Sequence, residues 1–155
     1  MENEPLHSLH LTGWAAPMKA DVDAARWHIA MSAISIQPPR SKTPGDWPRL
    51  WAALCAAAAR GVTVDLYVPR PTPQHPATRF NSYTASEAAA AGIHCHLIRG
   101  PRLLHCKSLV VDGRFVWIGS GNFTSAACHH NIEAYTRSDR PDFAAQVLDR
   151  WGALP

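Results

Sequence analysis

The sequence predicts an α/β fold: one domain, built on a mixed, mainly parallel sheet flanked by helices. Three observations lead there. Between residues 26 and 98, short apolar or β-branched runs alternate with helical patterns at the spacing of βαβ units. Asp112-Gly113 separates two further apolar runs, the signature of a tight antiparallel hairpin. With 155 residues the chain is long enough for one domain with its own apolar core, and its 46% apolar content is ordinary for a globular protein.

The elements follow in order. Residues 1–25 are read as an N-terminal extension or a first strand, and 26–155 as the main domain. The apolar run Arg26 to Gln37 stops at Pro38-Pro39, as a buried strand does before a loop. Asp46 is a cap for a helix with Pro48 in its first turn, Leu50, Trp51, Leu54 and Ala58 at helical spacing, and Gly61 as its stop. Val62 to Val68 is rich in β-branched residues and ends at Pro69, so it is a strand. After a proline-rich loop to Phe80, Thr84 with Glu87 forms a capping box for an alanine-rich helix that ends at Gly92. Ile93 to Ile98 is the next strand. Leu103 to Val111 and Phe115 to Ile118 pair across the hairpin, and a last strand lies around Ile132 to Tyr135. Phe143, Val147, Leu148 and Trp151 then mark one apolar helical face.

A net charge of +3, with nine histidines counted as neutral, tolerates an anionic substrate but falls short of a protein that coats nucleic acid by charge alone. The start Met1 to Pro5 is acidic and polar, unlike a secretory signal, and no stretch approaches the ~20 apolar residues of a membrane span. A cytoplasmic location is expected. Cys55, Cys95, Cys106 and Cys128 include no C-x-x-C pair, which favours free thiols over a disulfide framework.

Chemistry concentrates around the hairpin. On an extended segment His105 and Lys107 share one face, with Cys106 and Ser108 on the other. Beyond the turn, Gly119-Ser120-Gly121-Asn122 offers close backbone approach and two polar side chains. Imidazole, ammonium, hydroxyl and amide together suit a phosphate ester under attack, because fixed donors stabilise the extra negative charge on the equatorial oxygens. Lys107, Ser120 and Asn122 are the candidates for binding phosphate. His105 is a nucleophile or a proton donor, and one imidazole cannot hold both roles in one step.

His105-x-Lys107, four residues, Asp112, six residues and Gly119-Ser120-x-Asn122 resemble the HKD motif of the phospholipase D superfamily. The order of strands and helices resembles the small single-motif bacterial endonucleases of that superfamily over most of the chain. No second His-x-Lys occurs in the sequence. The resemblance therefore implies a homodimer that brings two copies of His105 to one site. It implies that His105 of one copy forms a phosphohistidine while the other protonates the leaving oxygen, with no metal or other cofactor. Glu133 matches the acidic residue that orients the catalytic histidine. Asp112, though part of the motif, is read as supporting the turn and nearby basic groups.

Other clusters have plainer readings. Trp117 is core. His94, Cys95, His96, Cys128, His129 and His130 fit no usual zinc spacing. Arg99, Arg102, Arg114, Arg137 and Arg140 surround the motif in sequence and are candidates for a basic rim along a nucleic-acid backbone, scattered surface arginine being the default.

The expected activity is hydrolysis of nucleic-acid phosphodiesters, without sequence specificity because the chain adds no base-reading module. Phospholipid hydrolysis is the alternative, and it calls for an apolar entry surface that the sequence does not display. A silent nucleic-acid-binding dimer on the same fold would need a lost motif residue, and none is missing.

Overall fold

The computed structural model describes residues 7–40 and 44–152, so the acidic start Met1 to Pro5 and the middle of the Pro38 to Trp47 loop lie outside the described residues. Seven strands form one sheet: β1 (His7–His10), β2 (His28–Ser32), β3 (Thr63–Pro69), β4 (His94–Ile98), β5 (Ser108–Val111), β6 (Phe115–Gly119) and β7 (Tyr135–Asp139). Their spatial order is β1-β7-β6-β5-β2-β3-β4. The helices are α1 (Ala15–Ala24), α2 (Asp46–Ala59), α3 (Asn81–Ala90), α4 (Ser125–His129) and α5 (Pro141–Gly152).

The sheet is mixed, as expected, but not mainly parallel. Only β2–β3 and β3–β4 run parallel, whereas β1–β7, β7–β6, β6–β5 and β5–β2 are antiparallel. The helical crossovers α2 and α3 enforce the parallel pairs, and the tight hairpin reverses the chain between β5 and β6. Asp112 and Gly113 adopt φ of 51° and 59°, the left-handed pair that such a hairpin turn requires.

Most of the apolar core lies on one face of the sheet. There Met18 and Val22 of α1, Leu50 and Leu54 of α2, and Ile29, Met31, Leu66, Leu109 and Trp117 of the strands are fully buried. The other face carries a smaller cluster in which Ala144 and Trp151 of α5 cover Ala30, Val110 and Val116. Asp21 of α1 receives the Arg137 guanidinium at 2.8 and 2.9 Å and the Trp117 indole N–H at 2.7 Å, which fastens α1 to β6 and β7.

Several local expectations are corrected. Gly45, not Asp46, occupies the cap position of α2; Asp46 sits in the first turn, where its charge complements the helix dipole. Thr84 lies inside α3 and donates to the carbonyls of Phe80 and Ile36, so the Thr84–Glu87 capping box does not form. The last strand is Tyr135–Asp139; Ile132 lies before it and is fully exposed. The strand before the hairpin begins only at Ser108, because its neighbour β2 ends at Ser32, the residue that pairs with Ser108.

Candidate active site

The strands β5 and β6 carry the motif at one end of the hairpin. His105 to Lys107 continue β5 as an extended segment, held by the Gly119 N–H on the Lys107 carbonyl at 3.0 Å. Alternation along that segment sends His105 and Lys107 to one side. His105 is exposed, whereas Lys107 is 8% exposed, its stem buried and its ammonium turned onto the imidazole. The Lys107 Nζ lies 2.8 Å from the His105 carbonyl, 2.9 Å from Nδ1 and 3.1 Å from Nε2. An ammonium only donates, so the ring nitrogen that accepts from it is the unprotonated one. On the other side Cys106 Sγ meets Ser108 Oγ at 3.0 Å, and Ser108 meets Ser32 Oγ at 3.0 Å, both serines fully buried.

Beyond β6 the chain bends through Gly119 to Asn122. A Cβ on Gly119 would collide with the Ala134 carbonyl and lie 2.5 Å from the Tyr135 ring, and one on Gly121 would lie 3.1 Å from Glu133 Cγ. The glycines thus let the segment 133–135 close over this bend. There the Ser120 amide donates to the Ala134 carbonyl at 3.0 Å, and the Ser120 hydroxyl accepts from the Ala134 amide at 3.1 Å. That hydroxyl donates to Glu133 at 2.5 Å, and Asn131 Nδ2 donates to the other carboxylate oxygen at 3.1 Å.

Burial pushes the Lys107 ammonium below the usual lysine range, with the charges of Cys106 and Glu133 pulling the other way. Glu133 is therefore electrostatically joined to Lys107, while its hydrogen bonds go to Ser120 and Asn131. Asn122 carries the one motif atom that is buried without a partner among the described residues, its Oδ1. Such an atom marks a place where a further group completes the bonding.

Asp112 stands apart, at the opposite end of β5. Its carboxylate accepts from the backbone amides of Arg26, Trp27 and His28 at 2.8, 3.0 and 3.0 Å. Burial opposes its ionisation, yet those three amides hold it below the usual carboxylate range. Its hydrogen bonds go to main-chain amides, and the charge of Arg26 acts on it as well.

Sequence reasoning missed Asn131, two residues before Glu133, and Tyr135, whose hydroxyl donates to the Gly121 carbonyl from a fully buried ring. The five-arginine rim does not hold together. Arg114 pairs with Asp139, Arg137 with Asp21, and Arg140 with Asp142. Arg99 and Arg102 instead line a cleft of about 360 Å³ with Arg70, ending one residue short of His105. Among the histidines and cysteines singled out, His94 and His96 lie 3.5 and 2.7 Å from Asp65, joined by His28 at 3.0 Å. Burial pushes the Cys95 thiol up to about 11 and the Cys128 thiol to about 12, and both are free.

Comparison with known proteins matches this geometry to a family. Residues 21–152 match the model described as "Cardiolipin synthase, PLD-like domain". Cardiolipin synthase A of Shigella dysenteriae is 32% identical over 98 residues, 63% of this chain, and that of Cronobacter sakazakii is 32% identical over 97 residues. The chain spans only about a fifth of the length of these curated relatives. Among solved structures, the phospholipase D family member Nuc from Salmonella typhimurium superposes with a TM-score of 0.75 at 26% identity, covering 98% of this chain and 97% of that one. NucT from Helicobacter pylori shares the fold with a TM-score of 0.74 at 15% identity, covering 96% and 94%. The protein thus belongs to the PLD-like domain family of the phospholipase D superfamily, whose fold acts on phosphodiesters.

Proposed function

We propose that this protein is a metal-independent phosphodiesterase that hydrolyses nucleic acid at a site shared by two copies of the chain. One observation carries the reading: His105 is an exposed imidazole with a nearly buried lysine against it, and the sequence holds no second His-x-Lys. Displacement at phosphorus needs both a nucleophile and an acid for the leaving oxygen, and a second copy of the chain would supply the second imidazole.

In the proposed cycle a ring nitrogen of His105 attacks phosphorus, forming a P–N bond as the P–O bond breaks. The leaving oxygen takes a proton from His105 of the second copy. That second ring then takes a proton from water, whose oxygen displaces the phosphohistidine and regenerates the first imidazole. Lys107 and Asn122 hold the non-bridging oxygens, Ser120 joins them when its hydroxyl proton turns from Glu133 to the phosphate, and Glu133 keeps Ser120 and the ammonium in place. The superposition on Nuc, with a TM-score of 0.75 at 26% identity, supports a nuclease-like architecture.

A second reading is transfer or hydrolysis of a phospholipid, favoured by the cardiolipin synthase relatives. Against it, the exposed large apolar residues Leu9, Leu11, Trp27 and Ile132 are spread over β1, the far end of the hairpin and the site edge. Among the described residues no helix is long and apolar enough to cross a membrane.

The test is incubation in EDTA with single-stranded DNA, duplex DNA, RNA and phosphatidylglycerol vesicles. Cleavage of nucleic acid is expected, and none by His105→Ala. Equal mixing of wild type with His105→Ala under subunit exchange should leave about a quarter of the activity per total protein, as only wild-type pairs are complete. A requirement for added metal, lipid turnover alone, or activity proportional to the wild-type fraction would overturn the corresponding part.

A further inference from the structure

We propose that the cleft lined by Arg70, Arg99 and Arg102 is a subsite for phosphates flanking the scissile one, so that the substrate is a polyanionic nucleotide chain and not an isolated diester. This rests on the nuclease reading above and adds to it where the rest of the strand lies.

The fold builds this cleft from remote parts of the sequence. The parallel strands β3 and β4 end side by side, Pro69 opposite Ile98, and the Arg70 amide donates to the Ile98 carbonyl at 2.9 Å. Arg70 and Arg99 therefore leave the sheet next to one another, both exposed, at the carboxyl ends of parallel strands where open α/β sheets hold ligands. Residues 99–104 then run along the cleft to His105. Arg102 lies three positions before His105, a reach of at most about 10 Å, which is the scale of one or two nucleotides.

Charge sets this cleft apart. Arg114, Arg137 and Arg140 are each neutralised by a carboxylate. Arg70, Arg99 and Arg102 have no carboxylate partner among the described residues. Three unneutralised guanidiniums in one concave place repel one another, and an anion relieves that repulsion.

The opposite wall is fixed in advance. The Thr78 hydroxyl accepts from the Thr72 amide at 3.0 Å and donates to the His75 carbonyl at 2.7 Å, while the His75 amide donates to the Thr72 carbonyl at 3.1 Å. Pro69, Pro71 and Pro101 stiffen the lining further. A phospholipid with a single phosphodiester, such as phosphatidylglycerol, brings it to His105 and has no second phosphate for this cleft, and cardiolipin has only one more. A polynucleotide has one at every step.

The test uses full-length His105→Ala, which binds without cutting, and a fluorescein-labelled single-stranded 12-mer read by anisotropy across a salt series. Replacing Arg70, Arg99 and Arg102 together by Gln should weaken binding at least tenfold and flatten the logarithmic salt slope by about 2, near 0.7 for each phosphate no longer neutralised. The triple Lys variant should restore most of the slope. Arg150→Gln, an exposed cation on α5, should change neither quantity.

Unchanged affinity and slope in the triple Gln variant, an equal effect from Arg150→Gln, or no binding of the oligonucleotide at all would overturn the subsite. If wild type binds the strand through these arginines yet leaves it intact in EDTA, the nuclease reading fails while the subsite stands.

Discussion

Ser120 and Glu133 are joined by a hydrogen bond of 2.5 Å, hydroxyl to carboxylate, between the bend after β6 and the segment that leads into β7. The serine proposed to hold phosphate is therefore positioned by an acid, and the same acid acts electrostatically on Lys107. Ser120→Ala is expected to lower kcat for bis(p-nitrophenyl) phosphate by about 100- to 1,000-fold, the usual scale for losing one fixed donor. An unchanged kcat would remove Ser120 from the site.

Lys107 gives the activity an alkaline limit. Burial lowers its proton affinity, so the ammonium that binds phosphate is lost at a pH below the usual lysine range, and kcat/KM falls with that limb. Glu133 opposes the shift, so Glu133→Gln should move the limb to still lower pH. A pH–rate profile of both proteins checks the sign: an unmoved limb, or one moved upward, contradicts the coupling.

Asp112 should govern stability and leave chemistry alone. Asp112→Asn keeps one acceptor but turns donors towards amides that are donors themselves, so a loss of about 2 to 3 kcal/mol is expected in urea unfolding. Its folded-state pKa is depressed, so its contribution is present above the ordinary aspartate value of about 3.9 and is lost as pH falls through the folded value. The variant should lack this part of the acid destabilisation. Equal unfolding midpoints for the two proteins at neutral pH would refute the claim.

The hairpin was readable because Asp-Gly is a local instruction, and the motif because its spacing is fixed by that hairpin. Helix α2 was readable from its apolar period, though its cap was not, since Asp46 competes with Gly45 through geometry that only the folded turn decides. β1 and α1 were hidden for opposite reasons. β1 pairs only with β7 and has no buried residue, so period-2 patterning had nothing to express. α1 carries Pro17 in its first turn and buries only Ala15, Met18 and Val22. β7 buries Tyr135 on one face of the sheet and Ser138 on the other, so no single apolar face shows in its sequence, whereas Ile132 mimics a strand residue and is bare. Arg70 lies 35 residues from His105, and only the β3–β4 pairing carries it to the same end of the sheet.

The clasp made by Asp112 has an evolutionary corollary. Because its hydrogen bonds go to main-chain amides, the clasp itself does not depend on which side chains stand at positions 26 to 28, whereas it does depend on the aspartate. Descendants that abandon catalysis and lose the histidine and lysine should still retain this acid, so its persistence in a lineage reports an intact scaffold and says nothing about turnover.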